Sequence, residues 1–350
     1  MKLIDTPALS FSDVILIPQH SEIGSRLDTD LTTTIARGIT VKHPILSTNM
    51  STVTGREMML EMKRLGSAGI LHRFLNRSQV RDSIEDLSVF PKIISIGVKE
   101  EDKALLTFLQ GSTKPDMVLV DIAHGDSKQV EGMISYVKGE DGGDVRVAAG
   151  NVATREGAER LIQAGADAIR VGIGGSSVCS TRTVTGHGMP TLQSILDISP
   201  ACKKYNIPLW GDGGFRDSGD IVKALAAGAS CVTLGTMLAG TDKAEGEWGY
   251  NSTRGFTAVS CPNDGCYKRF YGMSSKEAQE AHRDGVKVGT TPEGVERYIE
   301  YKGTTEEVVN GILGGIRSGL TYSGARDIKE LQEKAVFHVL SPGAIRESKY

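Results

Sequence analysis

The chain has 350 residues, 39% hydrophobic and 24% charged, with a formal net charge of −3. That balance excludes a mostly disordered chain, and without a basic excess it carries no electrostatic footprint for a nucleic-acid backbone. No stretch reaches the roughly 18 apolar residues of a membrane span, and Met1-Lys2-Leu3-Ile4-Asp5 has no apolar run behind its charge, so a cytoplasmic protein is expected, with neither membrane nor nucleic acid as partner.

From about residue 44 a short apolar run, a polar or glycine-rich loop and an amphipathic segment recur. The runs are 44–47, 69–72, 93–97, 117–122, 145–149, 168–171, 208–211 and 231–234. Segments such as 155–164 and 218–227 lie between them, with apolar residues at helical spacing. Eight strand and helix units in roughly 250 residues fit an α/β fold of the (β/α)8, or TIM-barrel, type better than an open sheet. Residues 1–43 are then an N-terminal extension over the barrel bottom or a neighbour, and without a linker the chain reads as one catalytic domain, 1–350. Ala164-Gly165-Ala166-Asp167 and Ala227-Gly228-Ala229-Ser230 echo each other before the sixth and eighth strands. Each glycine is placed to end a helix in a left-handed turn.

Two connections are long: 172–190 after strand six, and 235–303 after strand eight, ahead of a last barrel helix over 305–317. Both leave the strand ends where barrel enzymes keep their active sites, and long loops in a compact domain carry function. The first holds Val171-Gly172-Ile173-Gly174-Gly175-Ser176-Ser177-Val178-Cys179-Ser180-Thr181-Arg182. Its glycines allow backbone amides to face a substrate, and its cysteine is a candidate nucleophile; an inert buried thiol is the alternative on spacing alone. The five cysteines (179, 202, 231, 261 and 266) form no regular framework and read as reduced thiols. Cys261 and Cys266 cannot close a four-ligand zinc site by themselves.

Asp212-Gly213-Gly214 after strand seven and Gly235-Thr236 after strand eight occupy the loops in which barrels hold a phosphate, with Asp212 suited to ribose hydroxyls. Tight turns are the bland alternative. His72, Arg73, Asp121, His124 and Asn151 follow strands two, four and five as hydrogen-bonding groups around one mouth. In the last loop Gly272-Met273-Ser274-Ser275 precedes a helix that the serines can cap. Glu293, in the turn Thr291-Pro292-Glu293-Gly294, has no function legible locally.

These motifs, with Ile312-Leu313-Gly314-Gly315-Ile316-Arg317-Ser318, resemble the IMP dehydrogenase and GMP reductase family over nearly the whole chain. The interval between His72 and Ile93 has no room for the regulatory CBS-domain pair of most dehydrogenases, and the segment Ala281 to Gly289 lacks their Arg-Tyr pair. Cys179-Ser180-Thr181-Arg182 followed by Thr185-Gly186-His187-Gly188-Met189-Pro190 is similar to the reductase branch. The resemblance implies reductive deamination of GMP to IMP and ammonia with NADPH, through a covalent thioimidate on Cys179; oxidation of IMP with NAD is the alternative. It implies Thr181 and Glu293 as a proton relay. Ser177, Asp212, Gly213, Gly214, Gly235, Thr236, Gly272, Met273 and Ser274 would contact the nucleotide. Arg73, Asp121, Ile122, Ala123, Asn151, Ser318 and Gly319 would contact the cofactor. The carbonyls of Gly172, Gly174 and Cys179 would hold a monovalent cation such as potassium, and the assembly would be a homotetramer. The chain departs from the family pattern with Gly175-Ser176 for Pro-Gly, Ser180 for threonine, Arg73 for lysine and Ser51 for aspartate.

Overall fold

The computed structural model describes residues 3–85, 90–111, 113–140, 144–252, 255–259, 265–282 and 285–347. Eight parallel strands close into a barrel: β1 (Ile45–Ser47), β2 (Ala68–Leu71), β3 (Ile93–Ile96), β4 (Met117–Asp121), β5 (Arg146–Val152), β6 (Ala168–Val171), β7 (Leu209–Asp212) and β8 (Cys231–Leu234). Each pairs with its sequence neighbour, and β8 returns to β1 through Val232 opposite Ile45 and Leu234 opposite Ser47. The strands are nearly continuous apolar runs because side chains on both faces are covered, inward by the barrel core and outward by helices. The expected runs therefore match the strands, apart from a residue or so at most ends and an extension of β5 to Val152.

Helices form where an apolar stripe is paired with a cap. In Arg155–Gln163 the Thr154 hydroxyl accepts the Gly157 amide at 3.2 Å, and Ala158, Leu161 and Ile162 are buried. Burying each of the two larger side chains is worth about 1.5–3 kcal/mol. The helix ends at Ala164, and Gly165 turns away at φ 107°; Gly228 repeats the turn at φ 116° after Ser218–Ala226. A side chain at either glycine would be strained in that left-handed region, so the repeated Ala-Gly pattern is a helix stop.

Part of the N-terminal extension seals the barrel bottom. The hairpin of Thr33–Ala36 and Ile39–Val41 packs Ile35, Ala36 and Ile39 against Leu46, Ile70, Leu119 and Trp210. Trp210 donates its indole N–H to the Ile35 carbonyl at 2.7 Å. The strand Val14–Leu16 pairs with Phe337–Val339 near the far end of the chain.

The long connection after β8 is largely a sheet rather than a loop. A short helix, Thr236–Ala239, is followed by β9 (Trp248–Ser252), β10 (Gly255–Val259), β11 (Tyr267–Tyr271) and β12 (Glu296–Glu300), antiparallel in the order β10, β9, β11, β12. The alternation along β11 is masked because a lysine takes one of its inward positions. Lys268 is fully buried over the Trp248 ring and donates to the Ala244 and Gly246 carbonyls at 2.8 and 3.0 Å. Burial pushes its pKa down to about 7, against the pull of Glu245 and Glu247. The expected helix after Gly272-Met273-Ser274-Ser275 is present as Lys276–His282, with the Ser275 hydroxyl accepting the Ala278 amide at 3.1 Å.

The last barrel helix runs Thr305–Tyr322, beyond the expected end at 317. Its buried stripe, Val309, Ile312, Ile316 and Leu320, continues past the glycines, and Gly319 lies so close to Val222 that a Cβ there would come within 2.6 Å. Among the described residues, no helix is long and apolar enough to cross a membrane.

Candidate active site

A cavity of about 650 Å³ opens at the C-terminal ends of the barrel strands. Thr48 follows β1, Arg73 β2, Ala123 β4, Gly172 β6, Gly213 β7 and Gly235 β8, and all of them line it together with Asp121, Asn151 and Asp212 from the strand ends. The loop from β6 brings Gly174, Ser177, Cys179 and Thr181 to the same space, which Gly214, Thr236, Gly272, Met273, Ser274 and Glu293 also line.

The long connection after β8, which forms a flap at the cavity, and the cysteine loop are stitched through the backbone. The Ser180 amide donates to the Glu293 carbonyl at 3.1 Å, Val295 to Val178 at 3.0 Å, Gly272 to Val295 at 3.2 Å and Glu293 to Ser274 at 3.0 Å. Gly272 permits this approach, because a Cβ there would sit 2.6 Å from the Val178 carbonyl oxygen. Two residues remote in sequence are thereby fixed side by side. The Thr181 hydroxyl donates to Glu293 Oε2 at 2.8 Å, and Cys179 Sγ lies 3.2 Å from the same hydroxyl oxygen. A hydroxyl has one proton, so with that proton on the carboxylate the thiol donates to threonine. The result is a directed line from thiol to hydroxyl to carboxylate.

Burial separates this thiol from the other three described cysteines. Cys179 is partly exposed, whereas Cys202 and Cys231 are buried and desolvation raises their pKa, to about 12 for Cys202. Cys266 is also buried. Cys261 lies outside the described residues, and so does any site it would form with Cys266. Among the described residues no cluster of three or more His, Cys, Asp and Glu side chains is placed to bind a metal.

A second polar set fills the barrel axis. Arg170 on β6 is 5% exposed and donates to Asn49 (2.9 Å), Asp121 (2.9 Å) and Thr48 (2.8 Å), with Asp212 at 3.0 Å. Burial alone would lower its pKa; the Asp212 and Asp121 carboxylates outweigh that and hold it above the usual arginine value. Asp212 also accepts the Thr233 hydroxyl and, at 2.7 Å, the Asn151 amide, which in turn reaches the Gly172 carbonyl at 2.6 Å. Three of about four lone-pair directions on Asp212 are thus filled by protein, leaving one for a ligand hydroxyl.

Arg170, Thr48, Asn49 and Lys302 line the cavity without having been singled out in the sequence. The signal for Arg170 was a lone guanidinium within the apolar run Ala168-Ile169-Arg170-Val171. Three expected cofactor residues fall outside the cavity lining. Ile122 works through its backbone, its amide donating to Gly150 at 2.9 Å and its carbonyl accepting Asn151 at 2.8 Å. Ser318 and Gly319 lie within the extended last helix, Ser318 bonding back to the Gly314 carbonyl at 3.0 Å, and neither lines the cavity of its own chain. His72 and His124 do not line the cavity either. His72 is buried, and its Nδ1 accepts the Phe74 amide at 3.2 Å; His124 is exposed outside the cavity.

A thiol joined to a hydroxyl and a carboxylate beside glycine turns, at the C-terminal mouth of a closed parallel barrel, is the kind of site that (β/α)8-barrel enzymes carry. The IMP dehydrogenase / GMP reductase domain matches residues 8–350. The chain belongs to this oxidoreductase family. It is 46% identical to the inosine-5′-monophosphate dehydrogenase of Aquifex aeolicus over 239 residues, covering 67% of this chain but 46% of that protein, about half its length. It is 35% identical to the GMP reductase of Buchnera aphidicola over 349 residues, covering 96% and 95% of the two chains. The crystal structure of a cysteine-to-alanine variant of GMP reductase from Trypanosoma brucei, in complex with guanosine 5′-monophosphate, superposes with a TM-score of 0.87 at 26% identity, over 99% of this chain and 98% of that one.

Proposed function

We propose that the protein is an NADPH-dependent GMP reductase, converting GMP to IMP and ammonia. The observation that carries this is the line from Cys179 through Thr181 to Glu293. One proton moved along it leaves a thiolate on Cys179 and a protonated Glu293. The thiolate adds to purine C2, and the same proton, returned through Thr181, reaches the C2 amino nitrogen, which departs as ammonia. General acid assistance of this kind is worth about 10²–10⁴-fold. The chemistry supplied by bound NADPH is reduction at C2, after which the bond to Cys179 breaks and IMP leaves. The stitched flap keeps water from the adduct, which it would otherwise divert to XMP.

The residues present suit the cofactor: Arg73, Asp121, Ala123 and Asn151 share the cavity with Cys179, and Arg73 Nε is buried without a hydrogen-bond partner, a donor that a ligand oxygen can satisfy. The carbonyls of Gly172, Gly174 and Cys179, on one loop, are hard oxygen donors suited to potassium, with Gly172 held by Asn151. One observation favours the second reading, oxidation of IMP with NAD: the higher identity is to the Aquifex dehydrogenase. Purified protein is mixed with GMP and NADPH, and with IMP and NAD, while reduced-cofactor absorbance is followed. Consumption in the first mixture supports the reductase, production in the second reverses the reading, and tight GMP binding without either marks a binding protein.

A further inference from the structure

Four cationic side chains line the cavity, and three are committed to carboxylates. Arg170 is held by Asp121 and Asp212, Arg73 lies 3.6 Å from Asp121, and Arg216 pairs with Asp220 at 3.0 Å. Lys302 is different: its ammonium donates to the carbonyls of Thr236 at 2.8 Å and Met237 at 3.3 Å, and no ion pair forms on it among the described residues. Two carbonyls use two of an ammonium's three protons and none of its charge. The residue is exposed, yet its backbone is fixed, its amide donating to the Gly240 carbonyl at 2.8 Å while Gly303 accepts the Asp242 amide at 3.2 Å. It stands where the loops from β6 and β8 meet, since the Thr236 hydroxyl contacts the Ser177 hydroxyl at 3.0 Å.

We propose that Lys302 recognises the 5′-phosphate of the substrate nucleotide and sets the preference for a monophosphate over the bare nucleoside. The inference rests on the nucleotide reading above and deepens it. The cavity already presents the carboxylates of Asp121, Asp212 and Glu293, so a dianion entering it needs a cation that is not already neutralised. Amides of the glycine turns supply direction; Lys302 supplies charge.

Calorimetric titration of GMP, guanosine and NADPH into wild type, Lys302→Gln and Lys302→Arg tests this. Glutamine can still donate to the Thr236 carbonyl without the charge. GMP should bind about tenfold more weakly to Lys302→Gln, with guanosine and NADPH unchanged and Lys302→Arg close to wild type. Equal weakening of GMP and guanosine, or a lower melting temperature with unchanged affinities, makes Lys302 a structural anchor and overturns the proposal. Weakening of NADPH alone assigns the charge to the cofactor's phosphates and overturns it too. Should the glutamine variant not fold, the wild type decides: GMP, but not guanosine, should protect Lys302 from acylation in mass spectrometry, and equal labelling refutes the role. Wild type that binds no purine nucleotide sinks the functional reading as well, whereas GMP binding indifferent to Lys302 sinks only this inference.

Discussion

Two polar sets meet at the barrel mouth on opposite terms. The set around Arg170 lies at the floor of the cavity around a buried guanidinium with four partners, Thr48, Asn49, Asp121 and Asp212. The set of Cys179, Thr181 and Glu293, two loop residues and the first residue of the short helix Thr181–Thr185, is partly exposed and joined by one contact between each pair of neighbours. Groups that must keep their position are held by several bonds each, because an unpaired charge there is costly; groups that must exchange protons are bonded sparsely, so that either protonation state is tolerated.

The comparison breaks first at the nucleophile. Cys179→Ala should reduce turnover to background while calorimetry still detects nucleotide binding; appreciable residual turnover would refute covalent catalysis. Thr181→Ala and Glu293→Gln should each lose roughly 10²–10⁴-fold in kcat with little change in thermal stability, and wild-type rates in either would remove the relay. Arg170→Met should do the reverse of a relay mutation, costing about 3–5 kcal/mol in urea unfolding because two carboxylates are left without their buried partner. A stability loss below about 1 kcal/mol would show the set to be better solvated than its burial indicates.

The smallest effect concerns histidines outside both sets. Burial holds His43 and His72 at about 4, the latter with a contribution from His282. Between pH 6.5 and 4 the unfolded chain binds protons at both sites that the folded chain does not, so stability falls as pH falls through that window; above it neither site contributes. The limit is about 3 kcal/mol per histidine. Urea midpoints at pH 7 and pH 4.5 measure the loss, which His43→Gln should reduce; an undiminished loss in that variant would assign the slope to other groups.

Much of the barrel was legible because its strands must be apolar on both faces and its helices must stop before re-entering the sheet, which the runs and the Ala-Gly echo record. The cysteine loop was legible for its glycines. Glu293 was not, except by resemblance, since a carboxylate in a turn looks solvated until the flap returns it to Thr181. The flap sheet was hidden by Lys268 at an inward position, and the true end of the last helix by glycines, of which Gly315 packs against Ser218 and Gly319 against Val222.

By itself the sequence determined the periodicities, the turn chemistry and the nucleophile's loop, all of which are set within a few residues of chain. Only the tertiary structure decided which side chains share the cavity, that Arg170 is held between two carboxylates and that Lys302 forms no ion pair among the described residues. These follow from closing a barrel and folding a flap over it, which join residues more than a hundred positions apart, as Glu293 is from Thr181, and no local pattern encodes such a distance.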